Sequence, residues 1–137
     1  MESIDAKALV ERAREAARFS WSPYSRFPVG AALLCQDGSV VTGTNVENRS
    51  YGLAICAERS AVVSAISSGR RAFTAVAVVC AASSVPVSPC GACRQVLSEF
   101  CGPSVPVYLA GSGEEIQATT IGQLLPLDAL HDLKDRR

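Results

Sequence analysis

Apolar residues recur at helical spacing from Ile4 to Phe19, where Ile4, Ala8, Leu9, Ala13 and Ala16 share a stripe with the stem of Arg12 and Ser3 is available as an N-cap. The spacing predicts a surface helix with one buried face. After the SPYSRFP loop, VGAALLC, QDG and SVVTGTN read as two strands joined by a tight Asp-Gly turn, a β-hairpin. CAERSAVVSAISSGR reads as a helix stopped by Gly69, and FTAVAVVCA as an apolar, β-branched run suited to a buried central strand. PCGACRQVLSEF predicts the next helix, ended by Gly102 and Pro103. SVPVYLA predicts another strand, TTIGQLL a short helix with a capping Thr, and the polar LHDLKDRR a weak helix or frayed end.

The order is thus helix, two hairpin strands, helix, strand, helix, strand, short helix. Later strands linked by helices predict parallel crossovers joined to an antiparallel hairpin, a three-layer α/β/α sandwich. With 137 residues and no repeat, linker or low-complexity segment, residues 1–137 are expected to form one unit.

Charge narrows the function classes. The 13 basic and 13 acidic side chains cancel, which argues against a nucleic acid as the main partner. No apolar stretch is long enough to span a bilayer, and the first 19 residues form a charged amphipathic pattern unlike a secretory signal, so a cytoplasmic location without a membrane partner is expected.

Six cysteines in a cytosolic chain are metal ligands, catalytic groups or buried thiols more often than disulfide partners. Cys35 and Cys80 end apolar runs and read as core thiols, as does Cys101. Cys90 and Cys93 form a CxxC pair on one face of a helix opened by Pro89, where the positive end of the helix dipole favours a thiolate. Cys56 begins the CAERS helix in the same way. Two cysteines of a pair plus one distant cysteine give three ligands, and catalytic zinc keeps its fourth position for water. Cys35, Cys80, Cys101 or the lone His131 would instead close the tetrahedron of a structural site.

Glu58 supplies the second half of the chemistry. A carboxylate beside a metal-activated water takes its proton and passes it to substrate and leaving group. Inside one regular helix Cys56 and Glu58 would point about 200° apart, so Cys56 is expected at the helix boundary. Arg59 follows directly. Three thiolates and a zinc ion sum to −1, and an arginine donating to a cysteine sulfur would offset that charge.

CAE at 56 to 58 followed by PCGACRQ at 89 to 95 resembles the signature of the zinc-dependent cytidine deaminase family in its three-cysteine form. The likeness continues through SPYSRFPVGAAL at 22 to 33, NVENRSYGL at 45 to 53 and CAERSA at 56 to 61. It implies a mixed five-stranded sheet, zinc held by Cys56, Cys90 and Cys93, and Glu58 as proton carrier. It implies that Phe27 stacks on the pyrimidine, that Asn45 and Glu47 hydrogen-bond the ribose hydroxyls, and that the Ala57 backbone receives the pyrimidine carbonyl. Tyr51 matches a residue that reaches a neighbouring subunit's site, and the family's small members are homotetramers.

The resemblance implies hydrolysis of cytidine and deoxycytidine to uridine and deoxyuridine with release of ammonia, a step of pyrimidine salvage. Its rivals are the same chemistry on a nucleoside analogue or antibiotic, a non-catalytic zinc-stabilised binding module, and a redox protein built on CGAC. One departure stands out: family members of this size commonly carry an aromatic after an LLP segment, and here Ala129 takes that place.

Overall fold

The computed structural model describes residues 4–128 and residue 130, which leaves Ser3, Ala129 and His131 outside the described residues. Helix α1 (Ala6–Ala17) is followed by strands β1 (Val29–Cys35) and β2 (Val40–Thr44), a 3₁₀ turn at Tyr51–Leu53, helix α2 (Ala57–Ser67) and strand β3 (Phe73–Cys80). Helix α3 (Gly91–Phe100), strands β4 (Pro106–Ala110) and β5 (Ile116–Thr120) and the single turn α4 (Ile121–Leu124) complete the order. The sheet runs β2-β1-β3-β4-β5. β1 pairs antiparallel with β2 and β3, β3 pairs parallel with β4, and β4 pairs antiparallel with β5.

Both helical crossovers therefore join strands that run in the same direction, β2 to β3 through α2 and β3 to β4 through α3. Alternation along the strands divides the core between the two faces of the sheet. Ala31, Leu33, Val76, Val78, Val107 and Leu109 pack with Ala57, Ala61, Val62, Ala65 and Leu97 of α2 and α3. On the opposite face Ala32, Ala75, Ala77 and Val79 pack under Leu9, Val10 and Ala13 of α1. The predicted α/β/α layering is present, with both chemistry-bearing helices on one side.

Three expectations are corrected. Asp5 caps α1, its Oδ1 accepting from the Ala8 N–H at 2.8 Å, so the helix starts at Ala6 and ends before Phe19. The buried stripe of α1 is Leu9, Val10, Ala13 and Ala17, whereas Ala8 and Arg12 are exposed. The helix is rolled because it rests on the bare backbone of Gly30, where an added Cβ would lie 1.9 Å from the Ala13 carbonyl oxygen. The segment read only as a short helix at TTIGQLL begins as strand: Thr119 and Thr120 end β5, and the Thr120 hydroxyl then accepts from Gln123 N–H to cap α4.

Other local readings hold. The Asp-Gly turn closes the β1–β2 hairpin, with Gly38 at φ 89° and its N–H donating to the Cys35 carbonyl. Gly69 ends α2 at φ 90°, the left-handed conformation that favours glycine. Among the described residues no helix is long and apolar enough to cross a membrane.

Candidate active site

Cys56 is the N-cap of α2 and Cys90 the N-cap of α3, while Cys93 lies in the first turn of α3 with its side chain fully buried. The boundary position expected for Cys56 is thus realised. It releases the thiol from the helical phase, and Glu58 on the first turn is free to face the same space. Two packed helices point their N-termini at one spot. α2 is set there by a close approach, since a Cβ on Gly43 of β2 would come within 2.3 Å of the Ala61 nitrogen.

The three sulfurs lie within 4.8 Å of one another, and Cys56 Sγ and Cys90 Sγ are 3.9 Å apart. A tetrahedral zinc with Zn–S bonds of about 2.3 Å spaces its sulfurs by about 3.8 Å, close to the Cys56–Cys90 separation, so the donor set fits that ion. Among the described residues this is the only set of three or more His, Cys, Asp or Glu donor atoms so close together. Cys35, Cys80 and Cys101 do not join it.

Electrostatics already favours a thiolate there. A hydrogen bond from the Cys93 thiol, with further donation from Arg59 and Cys90, pulls Cys56 down to about 5. Cys93 is pushed up in turn, because it is the donor to Cys56 and because it is buried. Arg59 Nη2 donates to Cys56 Sγ at 3.5 Å, and its buried Nε meets no acceptor. Burial raises the Glu58 carboxyl above its ordinary value, with the negative charge on Cys56 adding to the effect; the residue is 4% exposed.

These groups open onto a cleft of about 570 Å³ lined by Cys56, Ala57, Glu58, Arg59 and Cys90 at one end. Phe27, Asn45, Glu47 and Tyr51 line the same cleft. Phe27, Asn45, Glu47, Tyr51, Cys56, Ala57, Glu58, Arg59 and Cys90 thus line one cleft, while Cys93 clusters with Cys56 and Cys90 without lining it. Asn45 and Glu47 are held between two neighbouring segments: Trp21 N–H donates to the Asn45 carbonyl and Glu47 N–H to the Trp21 carbonyl, while Val46 pairs with Ile55. The next residue after Ile55 is Cys56.

Sequence reasoning gave no site role to several lining residues, Cys80 and Ser25 among them. Cys80, read as a core thiol, is indeed buried, but it also lines the cleft, and burial followed by the charge of Glu58 pushes its thiol up to about 11. Its position as the last residue of a central strand was the available signal. Ser25 also lines the cleft. It stood in the quoted SPYSRFP segment without an assigned task.

Three clustered cysteine sulfurs with no fourth donor among the described residues, at a cleft that a buried glutamate also lines, fit the class of zinc-dependent hydrolytic enzymes. Residues 3–109 match the family model of the cytidine and deoxycytidylate deaminase zinc-binding region. The chain is 50% identical over 123 residues to a cytidine deaminase of Sporosarcina psychrophila, covering 90% of each chain. It is 51% identical over 123 residues to a cytidine deaminase of Halalkalibacterium halodurans, covering 90% of this chain and 92% of that one. The crystal structure of a cytidine deaminase from Burkholderia pseudomallei matches with a TM-score of 0.86 at 46% identity, over 90% of this chain and 98% of that one. The chain belongs to the zinc-dependent cytidine deaminase family.

Proposed function

We propose that residues 1–137 form one catalytic unit that hydrolyses cytidine and deoxycytidine to uridine and deoxyuridine, releasing ammonia. The observation that carries the reading is the placement of Glu58, buried yet lining the same cleft as Cys56 and Cys90, with Asn45 and Glu47 lining that space too. Held by Cys56, Cys90 and Cys93, zinc supplies a Lewis acid that makes a water nucleophilic near neutral pH. Glu58 takes the proton of the attacking water and delivers one to ring N3 as the oxygen adds to C4. It then takes the remaining proton of the added hydroxyl and carries it to the amino nitrogen. The C4–N bond breaks, ammonia leaves, and the ring keeps the oxygen as a carbonyl.

The remaining residues orient the substrate. Phe27 stacks on the pyrimidine, the Ala57 N–H receives its carbonyl, and Arg59 offsets the negative charge gathered on the sulfurs. The sugar end has a countable capacity. Asn45 Oδ1 already accepts from Ser20 Oγ at 2.6 Å and Val29 N–H at 2.9 Å, and Nδ2 donates to the Phe27 carbonyl at 2.9 Å. Glu47 Oε1 accepts from the Tyr24 and Ser25 N–H groups, and Oε2 from the Ser25 hydroxyl. Asn45 is left with one N–H and Glu47 with one lone pair on Oε2, enough for a single hydroxyl. A ribose and a deoxyribose satisfy that pair equally well.

The assembly reading is a homotetramer in which Tyr51 reaches a neighbouring site. Phe19, Tyr51 and Leu53 are 80%, 77% and 72% exposed, an apolar surface suited to burial between subunits. Six cysteines, three of them gathered at the site, fit a reducing cytoplasm and a role in pyrimidine salvage.

Ultraviolet monitoring of the purified protein with a panel of aminated nucleosides and free bases, alongside a zinc assay, tests the reading. Turnover of cytidine and deoxycytidine with no turnover of free cytosine is expected. Zinc-replete protein that turns over no nucleoside would leave only a zinc-stabilised binding module.

A further inference from the structure

The geometry points to Ser25 as a positioning residue that makes the sugar-binding carboxylate and the base-stacking ring one mechanical unit. The inference rests on the reading of Glu47 and Phe27 given above. The Ser25 hydroxyl donates to Glu47 Oε2 and accepts the Phe27 N–H at 3.1 Å, and the Ser25 N–H donates to Glu47 Oε1 at 3.1 Å. One serine therefore touches both carboxylate oxygens and the backbone of the aromatic.

The backbone between the two ends carries an independent mark. Arg26, the single residue separating Ser25 from Phe27, has φ 55°, and its N–H donates to the Ser22 carbonyl at 2.9 Å. A long side chain in the left-handed region persists where its surroundings over-determine the conformation, and such residues gather at ligand sites. Here the determinants are visible. Phe27 is gripped at its N–H by Ser25 and at its carbonyl by Asn45 Nδ2, while Ser25 is tethered to Glu47. The Ser25 hydroxyl also holds the Glu47 carboxyl below the usual carboxylate range, which favours the charged form that makes the tether charge-assisted.

The arrangement has a functional consequence. If the sugar displaces Glu47, the displacement is transmitted through Ser25 to the turn that presents Phe27, so sugar contact and base stacking are coupled. Ser25 itself contacts neither the reacting ring atoms nor the metal ligands; its loss acts on binding and leaves the chemical step in place.

Steady-state kinetics on the zinc-loaded enzyme tests this, with cytidine and 2′,3′-dideoxycytidine as substrates. Ser25→Ala is expected to raise KM for cytidine about tenfold, the scale of one charge-assisted hydrogen bond, with kcat changed less than about twofold. The kcat/KM preference for cytidine over the dideoxynucleoside should shrink by a similar factor. Combined with Phe27→Leu, the rise in KM should fall short of the product of the two single effects. The isosteric pair Ser25→Thr and Ser25→Val compares one shape with and without the hydroxyl, and Thr should restore the preference while Val does not. A purely structural serine would lower the melting temperature and the active fraction without moving the preference, and that result overturns the proposal. Glu47→Gln is the control: if it collapses the preference and Ser25→Val does not, Ser25 is not the positioning residue. If Glu47→Gln leaves the preference intact, the reading of the sugar end is wrong and the proposal goes with it.

Discussion

Val46 and Ile55 exchange both of their backbone hydrogen bonds, at 3.0 and 2.9 Å. Asn45 and Glu47 flank one member of the pair and Cys56 follows the other. The spacing between Asn45 and Glu47 on one side and the three-cysteine cluster on the other is therefore set by a backbone bridge and not by flexible side chains. On the function proposed above, a sugar bound at Glu47 would be held at a set reach from Glu58.

Loss of a ligand should be decisive. Cys90→Ala is expected to drop zinc content from about one equivalent per chain toward zero, since two thiols are too few to hold the ion tightly. Activity should vanish with it. A metal-replete and active Cys90→Ala protein would show that the three sulfurs are not the ligand set.

Glu58→Gln should keep zinc and fold, because the amide fills the same buried volume, yet kcat should fall by about 10²–10⁴ for want of a proton carrier. A loss below about tenfold would remove Glu58 from that role.

The same variant has an opposite effect on the stability of the metal-free protein. Burial raises the carboxyl of Glu58 above its ordinary 4.5, so the folded state prefers the protonated form. That preference stabilises fully below the unfolded value and is lost as pH rises through the folded one. Glu58→Gln cannot ionise and escapes the loss. In chelator, Glu58→Gln is expected to melt above wild type at pH 7 and level with it at about pH 4. Identical melting at both values would contradict a destabilising buried charge.

Arg94 braces the segment that delivers Cys90: Nε donates to the Pro89 carbonyl at 2.8 Å, Nη2 to Ser88 Oγ at 2.9 Å and Nη1 to the Leu124 carbonyl at 2.9 Å. Arg94→Met should weaken zinc binding about ten- to hundredfold in a chelator competition, the range for losing support behind a ligand. Unchanged affinity would mean that the α3 N-terminus places Cys90 unaided.

Light scattering should give a mass near four times the 14.4 kDa of one chain. A catalytically competent monomer would remove Tyr51 from the neighbouring site and leave Phe19 and Leu53 exposed to solvent.

The chemistry was legible in the sequence because its constraints are local. Pro89 and the CxxC spacing bring Cys90 and Cys93 together, with Cys90 as the extended cap of α3 and not inside it, and the phase conflict between Cys56 and Glu58 has one solution, the cap position that Cys56 occupies. The layers followed from hydrophobic period. What escaped depends on long-range contact. The roll of α1 is set by Gly30, a residue with no side chain to betray its neighbour, and β5 is a half-exposed edge strand whose IQATT pattern is too polar to read as sheet before β4 is in place. Ser25 was silent for a similar reason: its partner Glu47 lies 22 positions away.

The cysteines at the heads of α2 and α3 can also be viewed as a closure of the chain. Cys56 and Cys90 stand 34 positions apart, and an ion shared between them turns the intervening helix and central strand into a closed ring. The ring closes only in the folded chain, where the site exists, so the ion's binding free energy adds to folding: about 4 kcal/mol when the free metal stands a thousandfold above its dissociation constant. That is a large share of the margin by which a small protein stays folded. The cofactor of the reaction is at the same time a reversible suture in the chain, and scarcity of the metal would shorten the life of the protein as well as silence it.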